Sequence, residues 1–266
     1  MTDTAPVEEL QRRRLRLHRL TPSRPIRNVR SAVAFIKDRR ILLATGHSSL
    51  PCLAEAITGR ALVGSWMADS AVYRIYAIVK AVLNVPSVFA VPLILGKLTL
   101  VDRSLAPAVA RLAADPARRQ SAIAQLPHLA RQLLAQVEAE GEVRMDRLSV
   151  PTPQGRRARG LLEREMLVVS RDLHTERGYH TSVVIPWADS PIARRFGRRA
   201  RRLAYEEAQD LLVRSAVQSA VCVPEREARR WFVFGAARFD ALVERNQIRR
   251  LTSGGTTWLA SASARG

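Results

Sequence analysis

A short pattern that occurs twice constrains the fold of this chain more than any other feature. Residues 161–167 read LLEREML, and residues 242–248, which lie 81 positions later, read LVERNQI. In both places a helical pattern ends and a hairpin-like run begins. A segment that recurs together with its surroundings indicates one supersecondary unit used more than once. Two copies of such a unit are the simplest interpretation of the second half of the chain.

The first copy is built around the stretch from Pro151 to Ser170. At 100° per residue, Ala158, Leu161 and Leu162 share one face of a predicted helix. Arg156 points away from this face, and Arg157, Arg159 and Arg164 flank the outward side. A helix that ends at Gly141 and a shorter helix or turn, VRMDRLSV, precede this segment, and two alternating runs around the turn TERG follow it. Three helical segments and a hairpin are the order of a winged helix, although the arginine face can also be an ordinary solvated face.

The second copy has the same order. AYEEAQDLLVRSAVQSAV, VPEREARRWF and GAARFDALVERN read as three helices, and IRRLTSGGTTWLA reads as a hairpin that turns at Ser253–Gly255. Between the copies lies IARRFGRRARR, from Ile192 to Arg202. This segment either contacts a phosphate backbone or starts the next helix, and its density of arginine favours contact.

The first half is predicted to be helical with short strands. Residues 28–39 form a helix, ILLAT a strand, and SSLPCLAEAITG a second helix that Ser49 caps and Gly59 ends. ADSAVYRIYAIVKAVL is the third helix, in which the spacing of Tyr73 and Tyr76 favours the core over base stacking. Pro116 and Pro127 are expected at helix starts. Trp231 and Phe232 are expected in the core.

The predicted fold is therefore α+β, mainly helical with short β-hairpins and tandem winged-helix units. We expect a basic N-terminal arm over residues 1–26 and a first winged-helix-like unit with a helical extension over 27–126. A second winged helix covers 127–190, and a basic linker with a third covers 191–266. The arm, which contains QRRRLRLHRL, is either a phosphate-binding segment or a solvated helix.

The charge indicates the class of partner. The 266 residues contain 43 Lys and Arg against 24 Asp and Glu, a formal net charge of +19. A surface of this sign attracts polyanions, so double-stranded DNA is the leading partner, with RNA, a membrane surface or an acidic protein as alternatives. A GC-rich genome explains the choice of arginine over lysine but does not explain the excess over acids.

Other classes find little support. Cys52 and Cys222 cannot build a disulfide framework or a zinc ribbon, and no metal or cofactor is expected. VPSVFAVPLILG is too short to span a bilayer and reads as a buried strand or another core segment. The start MTDTAPVEEL lacks the features of a secretory signal, so a cytoplasmic location is expected, on the nucleoid if the source is bacterial. The fragments HTE and GK lack the partners that a zinc deaminase or a phosphate-binding loop requires.

AVAFIKDRRILLATGHSSLPCLAEAITGR, followed by LILGKLTLVDRSLAPAVARLA, resembles the winged-helix proteins related to the AlkZ-like interstrand-crosslink DNA glycosylases. The resemblance covers roughly residues 27 to 260. It implies three tandem winged-helix units with a concave surface that faces DNA, and residues 27–115 would be the first unit. It also implies a role in DNA repair.

The sequence departs from that family at the catalytic motif. The family's glycosylases carry two glutamines, or a glutamine and an aspartate, separated by one residue, which position the attacking water. This chain contains no such motif, and no glutamine lies between Gln11 and Gln120. Extrusion and cleavage of a base require a polarised water, so we expect a noncatalytic DNA binder unless Asp38, Glu55 or Asp69 has taken over. A repair glycosylase with a non-standard catalytic residue and an RNA-binding factor remain the alternatives.

The predicted DNA contacts are all basic side chains. In the first copy they are the helix residues Arg156, Arg157, Arg159 and Arg164 and the wing residues Arg171, His174 and Arg177. In the basic linker they are Arg194, Arg195, Arg198 and Arg199. In the second copy they are Arg238 and Arg245 on the helix and Arg249 and Arg250 on the wing.

Overall fold

A computed structural model describes residues 5–21, 24–174, 180–232 and 236–261. The described residues form helices interrupted by short strands, and the strands pair into three antiparallel sheets of three strands each. The predicted α+β class is confirmed.

The first sheet and its helices follow an N-terminal helix. Their bounds are α1 (Ala5–Leu17), α2 (Val29–Arg39), β1 (Ile41–Leu43), α3 (Leu53–Thr58), α4 (Val72–Leu83), β2 (Val88–Ile94) and β3 (Lys97–Asp102). A 3-10 turn at Trp66–Ala68 precedes α4. The buried strand expected at VPSVFAVPLILG is confirmed as β2.

The second sheet follows two connecting helices. The elements are α5 (Ala106–Ala113), α6 (Pro116–Ala124), α7 (His128–Glu140), β4 (Val143–Arg144), α8 (Thr152–Arg164), β5 (Val168–His174) and β6 (His180–Pro186). A 3-10 turn at Met145–Arg147 stands between β4 and α8. Pro116 follows the cap residue Asp115, and Pro127 caps α7, so both prolines lie at helix starts as predicted.

The third sheet follows a separate basic helix. The elements are α9 (Pro191–Ala200), α10 (Tyr205–Ala220), β7 (Cys222–Pro224), α11 (Glu225–Ala228), α12 (Ala236–Arg245), β8 (Arg249–Ser253) and β9 (Thr256–Ala260). Gly254 and Gly255 turn the hairpin with φ of 56° and 70°, a pair of left-handed conformations typical of a type I′ turn.

The three sheets share one strand order. Their orders are β1-β3-β2, β4-β6-β5 and β7-β9-β8, so in each a short first strand and the second strand both pair with the third. Each sheet is accompanied by a helix before its first strand and by a short helical element and a longer helix before its hairpin. Residues 29–102, 128–186 and 205–260 are called the first, second and third repeats below.

The repeats also share a backbone feature between the first helix and the first strand. Arg40, Gly141 and Val221 occupy this position with φ of 65°, 77° and 68°. A left-handed residue ends a helix by turning the chain away from the helix axis. The same turn is made three times, although only one of the three residues is glycine.

The recurring heptapeptide has a structural explanation. It forms the end of α8 and of α12, and its sixth residue, Met166 or Gln247, has φ of 52°. The next backbone N–H donates back into the helix, from Leu167 to Leu162 O at 2.9 Å and from Ile248 to Val243 O at 3.0 Å. The repeated letters therefore encode a repeated helix end that leads into the hairpin.

The chain divides into two compact units. One comprises residues 1–106 and 209–266, and the other comprises residues 107–208. The first unit has a core around α2, α3 and α4 that includes Phe35, Leu53 and Ile75, and the second unit has a core around α7 and α8 that includes Leu133 and Leu162. The predicted boundaries at 26, 126 and 190 stay a prediction.

The N-terminal segment forms a helix with one buried side and is not a wholly solvated helix, while phosphate binding by its exposed Arg12 and Arg16 stays a prediction. Val7 and Leu10 in α1 are buried, and Leu10 packs with Val221, Cys222 and Ala260 of the third repeat. After α1 ends, the buried His18 Nε2 donates to Ser219 O at 3.0 Å. The segment is a docked helix of the first unit.

Two predictions about the first repeat are wrong. Ser49 does not cap α3, because Cys52 holds that position and Ser49 instead donates to the carboxylate of Glu227. Tyr73 and Tyr76 are not in the core, since they are 86% and 47% exposed. The core side of α4 consists of Ile75, Ile78 and Val82.

Other predictions about single residues hold. Gly59 ends α3 with φ of 73°, and Gly141 ends α7. Trp231 and Phe232 are buried. Cys52 and Cys222 are free and buried.

Candidate nucleic-acid interface

Helix α8 separates an apolar side from a cationic side. Gly155, Ala158 and Leu162 are buried, and the last two belong to the core of the second unit. Arg156, Arg157 and Arg164 are exposed, and within the described part of the chain none of them has an ion-pair or hydrogen-bond partner. Three of the four arginines predicted on this helix are therefore available to bind an external anion.

Arg159 has a different environment. Its Nη1 donates to Ser182 Oγ of β6 at 2.6 Å, and its Nε lies 3.7 Å from Glu163 Oε2. The side chain lines a cleft of about 230 Å³ between α8 and the hairpin, where Asp146 and Asp172 are also found. Arg159 thus joins the helix to the hairpin, and the cleft is lined by Arg156 and Arg159 as well as by the two carboxylates.

The predicted wing residues of the second repeat are only partly described. Arg171 pairs with Glu142 at 3.1 Å, and both side chains are more than half exposed. A pair so exposed is worth little and can exchange with another anion. His174 is the last residue of β5. Its side chain and the whole of Arg177 lie outside what the structure describes.

Helix α9 is the second cationic element of this unit. Ile192, Phe196 and Ala200 are buried on one side. The exposed residues that cover its other side and its end are Arg194, Arg195, Arg198, Arg199, Arg201 and Arg202. Arg194 pairs with Asp189 at 3.1 Å, and Arg195 lies against the Phe196 ring with its guanidinium carbon 5.8 Å from the centroid. In the described part of the chain, Arg198, Arg199, Arg201 and Arg202 have no acidic partner.

The arginines predicted on the third repeat's helix are engaged within the chain. Arg238 donates through Nε and Nη2 to the buried Gln209 Oε1 at 2.8 and 2.6 Å. Arg245 pairs with Asp210 at 2.8 Å. Both interactions join α12 to α10, so these side chains hold the first and third helices of the repeat together.

The wing of the third repeat contains an ion-pair network. Arg250 of β8 lies 3.1 Å from Glu225 and 2.7 Å from Asp240, and Arg229 pairs with the same two carboxylates. The hydrogen bonds from Arg229 and Arg250 keep the pKa of Asp240 below its usual range. Arg249, the other predicted wing residue, is half-buried. The network ties the hairpin to α11 and α12.

The predicted contacts therefore fall into two groups. Unpaired guanidiniums lie on α8 and α9, both in the unit of residues 107–208. Three of the four predicted arginines of the third repeat, Arg238, Arg245 and Arg250, are bound by Gln209, Asp210, Glu225 and Asp240, whereas Arg249 is half-buried and has no side-chain partner in the described residues. Sequence reasoning did not detect the difference, because those acceptors lie 10 to 35 positions away from the arginines that they bind.

The first repeat contributes a surface that the sequence interpretation missed. Tyr73, Tyr76 and Lys80 are exposed on α4, and the ammonium of Lys80 lies 5.7 Å from the Tyr76 ring centroid. The sequence contained a signal for this surface. Tyr73, Tyr76 and Lys80 have the same helical spacing as the buried Ile75, Ile78 and Val82 but are offset by two residues, which places the two sets on different sides of the helix.

The three acids considered as substitutes for the missing glutamine motif have different environments. Asp38 is exposed and pairs with Arg39 at 2.9 Å, and Asp69 pairs with Arg60 and accepts from Ala71 N at 2.9 Å. Glu55 is buried and accepts from Leu62 N at 3.2 Å, and its burial raises the pKa of its carboxyl group. His47 Nδ1 lies 3.7 Å from Glu55 Oε1.

In the described ranges, no group of three or more His, Cys, Asp or Glu side chains is arranged to hold a metal ion. None of the helices described above is both long and apolar enough to cross a bilayer.

Comparison with known proteins gives no match. No family model matches the sequence, no curated protein is significantly similar to it, and no solved structure matches its fold.

Proposed function

We propose that this chain is a noncatalytic double-stranded DNA-binding protein built from three tandem winged-helix units. The observation that carries the proposal is the set of unpaired guanidiniums on α8, the helix that directly precedes a hairpin. In a winged helix this element enters the major groove and the hairpin contacts the backbone. Arginine forks suit both phosphate oxygens and guanine edges.

Two further observations support the proposal. The three repeats share one strand order and one order of elements, as three winged-helix units would, and the end of α9 with the two residues after it adds four arginines without acidic partners in the described residues. The formal net charge of +19 supplies a sequence-independent attraction to a polyanion. The chain also lacks the glutamine motif of the glycosylases that it resembles, which favours binding without base removal.

The test is a salt titration of duplex binding by the triple variant Arg156→Ala, Arg157→Ala, Arg164→Ala. Each lost phosphate contact lowers the slope of log K against log salt by about 0.9, so the slope should fall by up to about 2.7. We expect the Kd to rise by roughly 10- to 100-fold at about 0.1 M salt. The Tm should stay within about 2 °C, because all three side chains are exposed and unpaired.

A charge-matched control separates the site from net charge. Arg27, Arg30 and Arg103 are also exposed and have no partner in the described residues, so their triple alanine variant removes the same charge elsewhere. An equal loss of affinity in both variants would contradict a site on α8.

The noncatalytic part of the proposal has its own measurement. Duplexes with plain, branched or damaged sites are incubated with the wild-type protein and then treated with alkali. We expect no strand breaks. Lesion-dependent breaks would replace the proposal with a repair glycosylase, and stronger binding to duplex RNA than to duplex DNA would replace it with an RNA-binding factor.

A further inference from the structure

Exposed apolar side chains are concentrated in the first repeat. In the described part of the chain, the large hydrophobic residues that remain exposed are Leu15 in α1 and six others. The six are Val63, Met67, Tyr73, Tyr76, Leu83 and Leu98. Three of these lie on α4, and Met67 lies on the 3-10 turn that packs against it. Exposed apolar groups collected in one region mark a binding surface.

The same face of α4 carries a cation. Lys80 lies beside the Tyr76 ring, whereas Arg74 lies about 100° further round the helix from Tyr73 and its Nη2 donates to Ile57 O at 3.3 Å. The helix contains no acidic residue, and the nearby Asp69 is already paired with Arg60. Aromatic rings flanked by cations and free of carboxylates are typical of proteins that stack unpaired bases.

The position of α4 in its repeat corresponds to that of α8. Both are the longer helix before the hairpin, but α8 exposes unpaired arginines where α4 exposes tyrosines. We propose that α4 binds unpaired bases of single-stranded DNA by stacking them on Tyr73 and Tyr76, with Lys80 near the phosphates. This inference rests on the proposed DNA-binding function and assigns a second substrate feature to it.

The test compares full-length variants by fluorescence anisotropy. The probes are a labelled oligothymidine of about 20 nucleotides and a blunt duplex of the same length. Replacing Tyr73 and Tyr76 together by alanine should raise the Kd for the single strand by at least about 30-fold, since stacking contributes about 1–3 kcal/mol per base and each tyrosine stacks one base. The duplex Kd should change less than about twofold.

Two control variants separate stacking from other effects. Replacing both tyrosines by phenylalanine keeps the rings and should leave the Kd for the single strand within about twofold. Leu15→Ala removes an exposed apolar side chain elsewhere and should have no effect on the Kd. The salt slope of the alanine variant should equal that of the wild type, because stacking releases no counterions.

Several results would overturn the inference. These are an unchanged Kd for the single strand in the alanine variant, no single-strand binding by the wild type, or a wild-type dimer that the alanine variant makes monomeric. The last result would assign the face to a second copy of the chain. If the stacking prediction fails while the wild type still binds the duplex, the proposed function stands. If the wild type binds the single strand but not the duplex, the proposed function is contradicted and the stacking face is not.

Discussion

At the scale of single residues, His18 is the most unusual titratable group in the chain. It is 2% exposed, and its burial together with the positive charge of Arg14 lowers its pKa to about 3. Its ring donates to Ser219 O, and the Ser219 hydroxyl donates to Ile41 O at 2.6 Å. A neutral imidazole thus connects the end of α1 to α10, and Ser219 extends the connection to β1.

This environment predicts a pH-dependent stability. In the unfolded chain His18 binds a proton near pH 6.5, whereas in the folded protein it stays neutral until about pH 3. The free energy of unfolding should therefore fall as the pH drops below about 6.5, by up to about 1.4 kcal/mol per pH unit from this group. The measurement is urea unfolding at pH 7, 6, 5 and 4.

The matched variant is His18→Gln, whose amide can donate to Ser219 O but does not titrate. Its stability should decline less steeply than that of the wild type between pH 6.5 and 4. If the free energies of unfolding of the two proteins fall in parallel with pH, His18 does not contribute to the pH dependence of stability.

At the scale of elements, the end of α12 is unfavourable by itself. Gln247 has φ of 52° and is exposed, and a side chain in the left-handed region costs about 1 kcal/mol that glycine avoids. Gln247→Gly should raise the free energy of unfolding by about 0.5–1 kcal/mol in a denaturant titration. Gln247→Ala keeps the strain and should bring no gain; an equal gain in both variants would contradict this explanation.

The elements were largely predictable because their signals are local. The heptapeptide repeat, the prolines at the starts of α6 and α7, and Gly59 and Gly141 at helix ends all act within a few residues of their own position. The misplacement of Tyr73 and Tyr76 had a different cause. Their i, i+3 spacing is equally compatible with either side of an apolar helix, and packing against α2 and α3 selected the other side.

At the scale of the whole molecule, one carboxylate joins segments that are far apart in the chain. Glu227 of the third repeat accepts from Ser48 Oγ at 2.7 Å, from Ser49 N and Oγ at 2.6 Å, and from Trp231 Nε1 at 3.3 Å. Burial tends to raise the pKa of Glu227, but the donated hydrogen bonds outweigh it and the pKa is lowered. Leu95 N also donates to Trp231 O, so the first and third repeats are joined at two points within one unit.

Glu227→Gln should lower the free energy of unfolding by about 1–3 kcal/mol, because charge-assisted bonds to a partly buried carboxylate are lost. Glu244→Gln, which changes an exposed glutamate without a partner in the described residues, is the control and should be neutral. In the double variant Glu227→Gln, Ser49→Ala the free energy of unfolding should fall by less than the sum of the two single effects, since the two residues share hydrogen bonds. Additive losses would show that Ser49 and Glu227 are not energetically coupled.

The sequence alone determined what depends on local chemistry. Hydrophobic periodicity and turn residues predicted the helices and hairpins, and the excess of arginine over acids is independent of folding. Only the tertiary structure decided which arginines remain available. Arg250 and Arg156 are alike in sequence, but folding brings Glu225 and Asp240 within ion-pair distance of Arg250 and no described carboxylate within that distance of Arg156. Ion pairing depends on distance in space, and residues far apart in the chain acquire that distance only when the elements pack.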